Sequence, residues 1–228
     1  MSKSKNLNQL RSEIDCLDDK ILQALVKRMQ LSDQVISSKN GVAAFRPGRE
    51  AVLVRQLIAK SKSYSEGLAP EAILGIWRQI MAASLNRQNG EVSCAVHKKV
   101  MPIVAWHMGS TSTLMINDQL FPLIEAVASG QCQYALVPAH EDIETLLACL
   151  DQHHQLKVIA RTPLYEMRVI PAAFIIADYL PDMSGDDISL FASQSPDGFN
   201  LLKIDGHYET LLSSCILNNA RLIGGYAR

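Results

Sequence analysis

Apolar residues recur every three or four positions along the first part of the chain, and this spacing predicts a long helix. No Pro or Gly interrupts residues 6–39. At 1.5 Å per residue, a helix of this length measures roughly 45–50 Å. A compact segment does not cover so long a stripe, so we expect a second copy of the chain to pack against it. The stripe consists of Leu10, Ile14, Leu17, Ile21, Ala24, Leu31 and Val35.

Two further helices are predicted before residue 90. Residues 49–63 carry Leu53 and Leu57 one turn apart, and Pro70 stands in the first turn of a helix over residues 71–88. A short polar linker follows at residues 89–91. Residues 1–90 are therefore predicted to form an all-helical, all-α domain of three helices.

Beyond the linker, short apolar runs alternate with helical patterns, which is typical of an α/β domain. We expect residues 91–228 to form this second domain. The predicted strands are 101–106, 134–137, 157–160, 173–177, 188–192 and 221–223, and the predicted helices are 120–129, 143–150 and 208–218.

Composition excludes several classes of protein. With 48% hydrophobic and 20% charged residues, the chain of 228 residues is neither disordered nor fibrous. It has no apolar run near the roughly 20 residues that a membrane span needs, and no apolar signal core at its N-terminus, so we expect a cytoplasmic protein without a membrane partner. The five cysteines have no CxxC spacing and the six histidines no metal-ligand spacing. We expect buried, reduced thiols and no metal site.

Charge is divided unevenly between the two predicted domains. Residues 1–90 contain 14 Lys and Arg against 8 Asp and Glu, a net charge of +6, whereas residues 91–228 contain 8 against 15, a net charge of −7. Arg28 falls on the apolar stripe between Ala24 and Leu31, and Lys39 lies nearly on the same face three turns later. Inward cations favour a small anion over a nucleic acid as the partner.

The other helices break their apolar patterns as well. The third helix continues its stripe by fours into Ser84 and Gln88, and the second begins at Arg49 and Glu50. A single buried arginine often only snorkels or sets register, and a polar residue on a helix is usually solvated. Convergence of several such residues favours a pocket for a small anion with two carboxylates and a hydroxyl. The set is Arg11, Arg28, Lys39, Arg49, Glu50, Ser84 and Gln88.

These residues resemble a known family. The string from Leu10 to Asp15, followed by Leu17-Asp18, Arg28, Lys39, residues 46–50, Gly67-Leu68 and the spacing Ile80, Ser84, Gln88, is similar to the all-helical chorismate mutases. The resemblance covers nearly all of residues 7–88. It implies an intertwined homodimer with shared active sites, and a Claisen rearrangement of chorismate to prephenate that needs no nucleophile, metal or cofactor.

The resemblance also implies roles for the site residues. The partner's Arg11, with Arg28 and Arg49, would clamp the two carboxylates of chorismate, and Ser84 would assist.

The remaining roles concern the ether oxygen and the hydroxyl of chorismate. Lys39 and Gln88 would face the breaking ether oxygen, and Glu50 would take the ring hydroxyl. Because an amide donates at any pH, Gln88 predicts activity at neutral pH. Arg46 stands where the family often has an Asp.

The second domain resembles a prephenate dehydratase. Residues 124–130 and 134–138 are similar to a strand-ending segment of that family, and residues 109–112 to its glycine loop. The family's Thr-Arg-Phe segment is replaced by Ala172-Ala173-Phe174, so its hydroxyl and guanidinium are missing. About 35 residues after Ala192 are too few for the ACT domain that normally follows. We therefore expect a degenerate domain without dehydratase activity.

The leading hypothesis is a homodimeric chorismate mutase. Three alternatives stay open: a bifunctional chorismate mutase/prephenate dehydratase, an isochorismate pyruvate-lyase of the same helical fold, and a non-catalytic dimer that senses a metabolite. Turnover of chorismate and isochorismate measured side by side separates the enzymes, and the sensor predicts no turnover.

Overall fold

A computed structural model of the chain describes residues 6–37, 43–109, 112–167, 170–196, 198–212 and 220–228. The helices are α1 (Leu7–Ser37), α2 (Pro47–Ser61), α3 (Pro70–Asn89), α4 (Met101–Met108), α5 (Leu120–Ala128), α6 (Ile143–Gln152) and α7 (Tyr208–Leu212). The strands are β1 (Ser93–His97), β2 (Thr113–Asn117), β3 (Tyr134–Pro138), β4 (Lys157–Thr162), β5 (Ala173–Ala177), β6 (Asp187–Ser195), β7 (Gly198–Asp205) and β8 (Ala220–Ala227).

Helix α1 belongs to a compact unit of its own, residues 1–42, while residues 43–228 form a second unit. Its predicted apolar stripe is exposed along the described helix, from Leu10 at 44% to Ile21 at 57% and Leu31 at 52%. Most of the stability of a helix in a protein comes from packing of its apolar face, and α1, with 31 residues, carries a long one.

The second unit is built on one mixed sheet of eight strands in the order β2-β1-β3-β5-β4-β8-β6-β7. Strand β1 pairs in parallel with β2 and β3, and β4 pairs in parallel with β8. The pairs β3–β5, β4–β5, β6–β7 and β6–β8 are antiparallel. Strands β4 and β8 approach closely at Gly224, whose φ is +139° and whose Cβ position would collide with the backbone of Val158.

Successive side chains of the central strands point to opposite faces of the sheet and belong to two different cores, one on each face. On β3, Ala135 and Val137 join a core with α5 and α6, whereas Tyr134 and Leu136 join a core with α4, Phe45 and the end of α3. A third cluster, which includes Val54 and Leu74, lies between α2 and α3. The second unit therefore has three layers, with α2, α3 and α4 on one side of the sheet.

The predicted helices of the first 90 residues are confirmed, as are the strands that coincide with β3, β4, β5, β6 and β8 and the helices that coincide with α5 and α6. The predicted strand at 101–106 is wrong, because these residues form α4. Pro102 stands in the first turn, where its fixed φ favours a helix, and the run is apolar on every side, so it shows neither period. The boundary at residue 90 stays a prediction.

Three strands escaped the sequence pattern. Strands β2 and β7 lie at the two edges of the sheet and have exposed or half-buried side chains, and β1 begins and ends with polar residues, Ser93 and His97. Of the predicted helix 208–218, α7 accounts for Tyr208–Leu212, and the rest lies outside the described residues.

The prediction of buried thiols is correct for Cys94, Cys132 and Cys149 and wrong for Cys16, which is exposed on α1. Cys215 lies outside the described residues. Burial raises the pKa of the Cys94 thiol to about 12, so this thiol stays protonated. No helix in the described ranges is both long and apolar enough to cross a membrane.

Helix α2 is anchored by a carboxylate from far along the chain. The carboxylate belongs to the part of the second unit that contains the strands, from β1 to β8, which we call the sheet part. Asp182 accepts hydrogen bonds from the backbone N–H groups of Gly48 (2.8 Å) and Arg49 (3.1 Å) and from Nε of Arg46 (3.1 Å). It thereby caps the N-terminus of α2, where Arg46 itself supplies no side-chain cap. A Cβ on Gly48 would collide with the backbone of Asp182 and Met183, so this approach requires glycine.

We expect Asp182→Ala to lower the free energy of unfolding by about 1–2 kcal/mol, the usual cost of losing a helix cap. Asp182→Asn should cost less, because the amide oxygen still accepts one N–H bond. The measurement is urea unfolding, with Asp178→Ala at a nearby exposed position as the control. Equal stability of Asp182→Ala and the control would contradict the capping role.

Candidate active site

Arg49 and Glu50 lie in the first turn of α2, directly after the capped N-terminus. The Arg49 side chain is exposed and Glu50 is half-buried. Because Asp182 holds the backbone at residues 48 and 49, the start of the helix and hence the direction of both side chains is set by the sheet part of the same unit.

Glu50 is paired with an arginine on α3. The Arg78 guanidinium donates from Nη1 to Oε2 and from Nη2 to Oε1 (3.4 Å) of Glu50, which is a two-pronged contact. The side chains are 4% exposed for Arg78 and 19% for Glu50. This is a largely buried ion pair, in which each charge offsets the cost of removing the other from water.

Residues of α4 and β4 share a cavity with Arg78. A cavity of about 40 Å³ is lined by Glu50 and Arg78 together with His107, Arg161 and Thr162. Nδ1 of His107 lies 2.6 Å from Oγ1 of Thr162. Burial, aided by the Arg78 charge, holds the pKa of His107 well below its ordinary value, so this imidazole is neutral.

Ser84 and Gln88 lie one turn apart on α3 and therefore on the same side of that helix. Ser84 is buried, and its hydroxyl donates to the carbonyl of Ile80 at 3.0 Å. Gln88 is half-buried. As predicted, the apolar stripe of α3 thus continues into polar residues that are not fully solvated.

The other three predicted site residues fall outside the second unit. Arg11 is exposed and Arg28 half-buried on α1. Seventeen positions separate them along one helix, about 25 Å at 1.5 Å per residue, so a single α1 does not bring them to one small ligand. Lys39 lies outside the described residues.

Sequence reasoning missed Arg78 and did not explain Arg46. Arg78 stands between Trp77 and Gln79 and looks like a solvated position, and only the burial of α3 against α4 reveals it. Arg46 donates to Asp182, so the residue that replaces the family's Asp serves the contact between α2 and the sheet part.

A separate cleft of about 460 Å³ adjoins the segment that replaces Thr-Arg-Phe. Ala172 lines it together with Arg161, His140 and Glu166. The Arg161 side chain is 14% exposed and donates to Glu166 at 3.2 Å. Residues 110–111 of the proposed glycine loop and Arg168 lie outside the described residues. Within the described ranges, no group of three or more His, Cys, Asp or Glu is placed to hold a metal ion.

Comparisons with known proteins identify a family over the first part of the chain. Residues 10–89 match the family model of chorismate mutase type II. A bifunctional chorismate mutase/prephenate dehydratase of Aquifex aeolicus is 26% identical over 150 residues, which cover 61% of this chain and 40% of that protein. The T-protein of Haemophilus influenzae is 24% identical over 249 residues, which cover 97% of this chain and 64% of that protein. The chain thus spans less than two thirds of the length of these relatives.

Two solved structures resemble part of the chain. The X-ray structure of prephenate dehydratase from Streptococcus mutans is 16% identical with a TM-score of 0.44, over 60% of this chain and 98% of that one. A structure described as GqqA, a novel type of quorum quenching acylase, is 15% identical with a TM-score of 0.46, over 61% of this chain and 96% of that one.

The family match covers α2, α3 and nearly all of α1, and all seven predicted site residues fall within it. The sequence-based resemblance is confirmed for this part of the chain: residues 10–89 are a chorismate mutase type II domain.

Proposed function

We propose that the chain rearranges chorismate to prephenate as a homodimer, in the cytoplasm and without a nucleic-acid partner. The observation that carries this proposal is the family match over residues 10–89, within which the chain keeps the cationic, amide and hydroxyl positions that the reaction needs. Isochorismate pyruvate-lyase and a non-catalytic sensor are the competing hypotheses. Turnover of chorismate and isochorismate, measured side by side, distinguishes them from the proposed mutase.

The rearrangement is unimolecular, so the site works by holding a conformation and stabilising charge. Arg28, Arg49 and the partner's Arg11 clamp the two carboxylates and hold the enolpyruvyl chain over the ring. Lys39 and Gln88 donate to the ether oxygen, on which negative charge develops as the bond breaks. The rearrangement involves no oxidation or reduction, and no side chain has to gain or lose a proton.

The dimer is supported by the exposed stripe of α1. Leu10, Ile14, Leu17 and Ile21 are each at least 44% exposed, at spacings of three and four. Contiguous apolar surface of this kind marks an interaction site, and a two-fold copy supplies a matching stripe. An antiparallel pairing of α1 helices brings Arg11 of one copy near Arg28 of the other, which one helix alone does not do.

The proposed reaction ends at prephenate. Dehydratase chemistry must protonate a departing hydroxyl as carbon dioxide leaves, and Ala172 and Ala173 offer no proton donor. Arg161, which lines the neighbouring cleft, is engaged with Glu166. The net charge of −7 over residues 91–228 also disfavours a dianion in this domain.

Lys39→Ala should lower the rate of chorismate turnover by about 10²–10³, the typical cost of removing one donor from a developing oxyanion. The measurement is the loss of chorismate absorbance with purified protein. The matched control is Lys60→Ala, which removes an exposed lysine from α2 and should leave the rate unchanged. Near-normal turnover by Lys39→Ala would contradict the site assignment.

Arg11→Ala and Arg28→Ala should each be inactive alone and should recover activity when mixed. In a heterodimer of the two variants, one of the two shared sites contains both arginines. The measurement is turnover after subunit exchange, with heterodimer formation followed by native mass spectrometry. Heterodimers that form without any recovery would rule out a site shared between subunits.

Phenylpyruvate should stay at the level of a protein-free control at neutral pH when prephenate is supplied directly. Lys39→Ala is the variant of choice, because its mutase site is disabled while residues 91–228 are unchanged. Enzymatic phenylpyruvate formation by this variant would show instead that the second domain is a working dehydratase with another proton donor.

A further inference from the structure

Arg78 is a buried cation with no role in the site that the sequence resemblance implies. It is 3% exposed, on the side of α3 that also buries Leu74 and Met81. A guanidinium out of water is costly unless a carboxylate and further hydrogen bonds compensate. The structure supplies Glu50 for this purpose, through both nitrogens of the guanidinium fork.

Arg78 is buried by the sheet part of the chain rather than by α2 alone. His107 and Trp106 of α4 and Thr162 of β4 line the same cavity as Arg78 and Glu50. His107 is held neutral, with Nδ1 against Thr162 Oγ1, so it neither repels the guanidinium by charge nor attracts it away from Glu50. Residues of α4 and β4 thus surround the space in which the guanidinium holds the carboxylate.

A carboxylate held in this way keeps free acceptor capacity. It offers about four lone-pair positions, of which a two-pronged guanidinium contact uses one on each oxygen. The Glu50 side chain also keeps 19% of its surface exposed. It can therefore bind a hydroxyl group while Arg78 fixes the plane of the carboxylate.

We propose that Arg78 is a positioning residue that holds Glu50 charged and oriented for the ring hydroxyl of the substrate. Through it, α4 and β4 set the geometry of the mutase site, so residues 91–228 act on the rearrangement without touching the substrate. The inference rests on the proposed function, because it assigns Glu50 to the chorismate site.

Arg55 provides a matched structural control. It also joins α2 to the sheet part, through Nη1 to the carbonyl of Ser184 (3.0 Å) and Nη2 to the carbonyl of Asp186 (3.1 Å). It forms no hydrogen bond or ion pair with Glu50 in the described part of the chain. Losing Arg55 therefore weakens the same junction without releasing the carboxylate.

The experiment is a double-mutant cycle on the full chain with Glu50→Gln, Arg78→Met and the pair combined, read as kcat and KM for chorismate and as urea unfolding. Removing both charges together leaves no buried charge unpaired, so the double variant is the one that folds most readily. We expect each single variant to lose about 10- to 100-fold in kcat/KM, as for a hydrogen bond to a charged group. The double variant should lose no more than Glu50→Gln alone.

Two further variants separate positioning from stability. Arg78→Lys keeps the charge but loses the fork, so its kcat/KM should lie between those of wild type and Arg78→Met. Arg55→Met should lower the urea midpoint while leaving kcat and KM unchanged below the unfolding transition.

The outcomes distinguish the two proposals. A wild-type chain without chorismate turnover contradicts the proposed function and removes the basis of this inference with it. An active wild type with unchanged kinetics in Arg78→Met, or with losses that add in the double variant, overturns the role of Arg78 and leaves the mutase intact. Loss of kcat/KM in Arg55→Met equal to that in Arg78→Met shows a purely structural junction and also overturns it.

Discussion

The buried Arg78–Glu50 ion pair is the interaction on which the arrangement of α2 and α3 depends. A guanidinium at 3% exposure requires a carboxylate, and the first turn of α2 is where this chain supplies it. That requirement fixes which side of α2 faces α3, and the capping of α2 by Asp182 fixes where the helix starts. Two electrostatic contacts thus hold a short helix in one orientation, on the same side as its buried apolar residues Ala51, Val54 and Ile58.

These contacts distinguish α2 and α3 from α1, although all three helices lie within the residues that match the family model. Helices α2 and α3 bury their apolar residues together with α4 and the sheet. Their polar contacts reach residues beyond 100 in the sequence: Asp182 accepts from α2, and Gln79 and Asn86 of α3 donate to carbonyls of α4. Helix α1 keeps its stripe exposed. The helices of residues 10–89 therefore differ: α2 and α3 bury apolar residues within the second unit, whereas α1 carries an exposed apolar stripe.

How far the sequence predicts this structure depends on whether a feature is local. The period of Leu10, Ile14, Leu17 and Ile21 is local, and the helix it predicts is observed. The buried runs of β3 and β5 are local as well. The sequence predicts a strand where α4 forms, because a run that is apolar on every side has no amphipathic period, and only Pro102 signals the first turn of a helix.

The candidate site likewise contains residues that the sequence predicts and residues that only the folded structure reveals. The sequence predicts Ser84 and Gln88 because they continue an apolar stripe by fours. It does not predict Arg78, whose neighbours Trp77 and Gln79 make it look solvated, because the groups that bury it come from α4 and β4. Nor does it pair Arg46 with Asp182, 136 positions away. Sequence periodicity reports which side of a helix is apolar, whereas pairing between distant charges is visible only once the chain is folded.

Arg46 stands where the resemblance leads us to expect an Asp, and the structure gives this arginine a partner in Asp182. At the start of α2 a carboxylate is needed as the cap, and Asp182 of the sheet part already provides it. A second carboxylate at position 46 would face Asp182 and repel it, whereas an arginine there donates to it at 3.1 Å. Arg46 thus forms a contact between the start of α2 and a segment that precedes β6. Under the proposed function, Glu50 is then the carboxylate left at the start of α2 to bind the hydroxyl of the substrate, and Arg78 fixes its orientation.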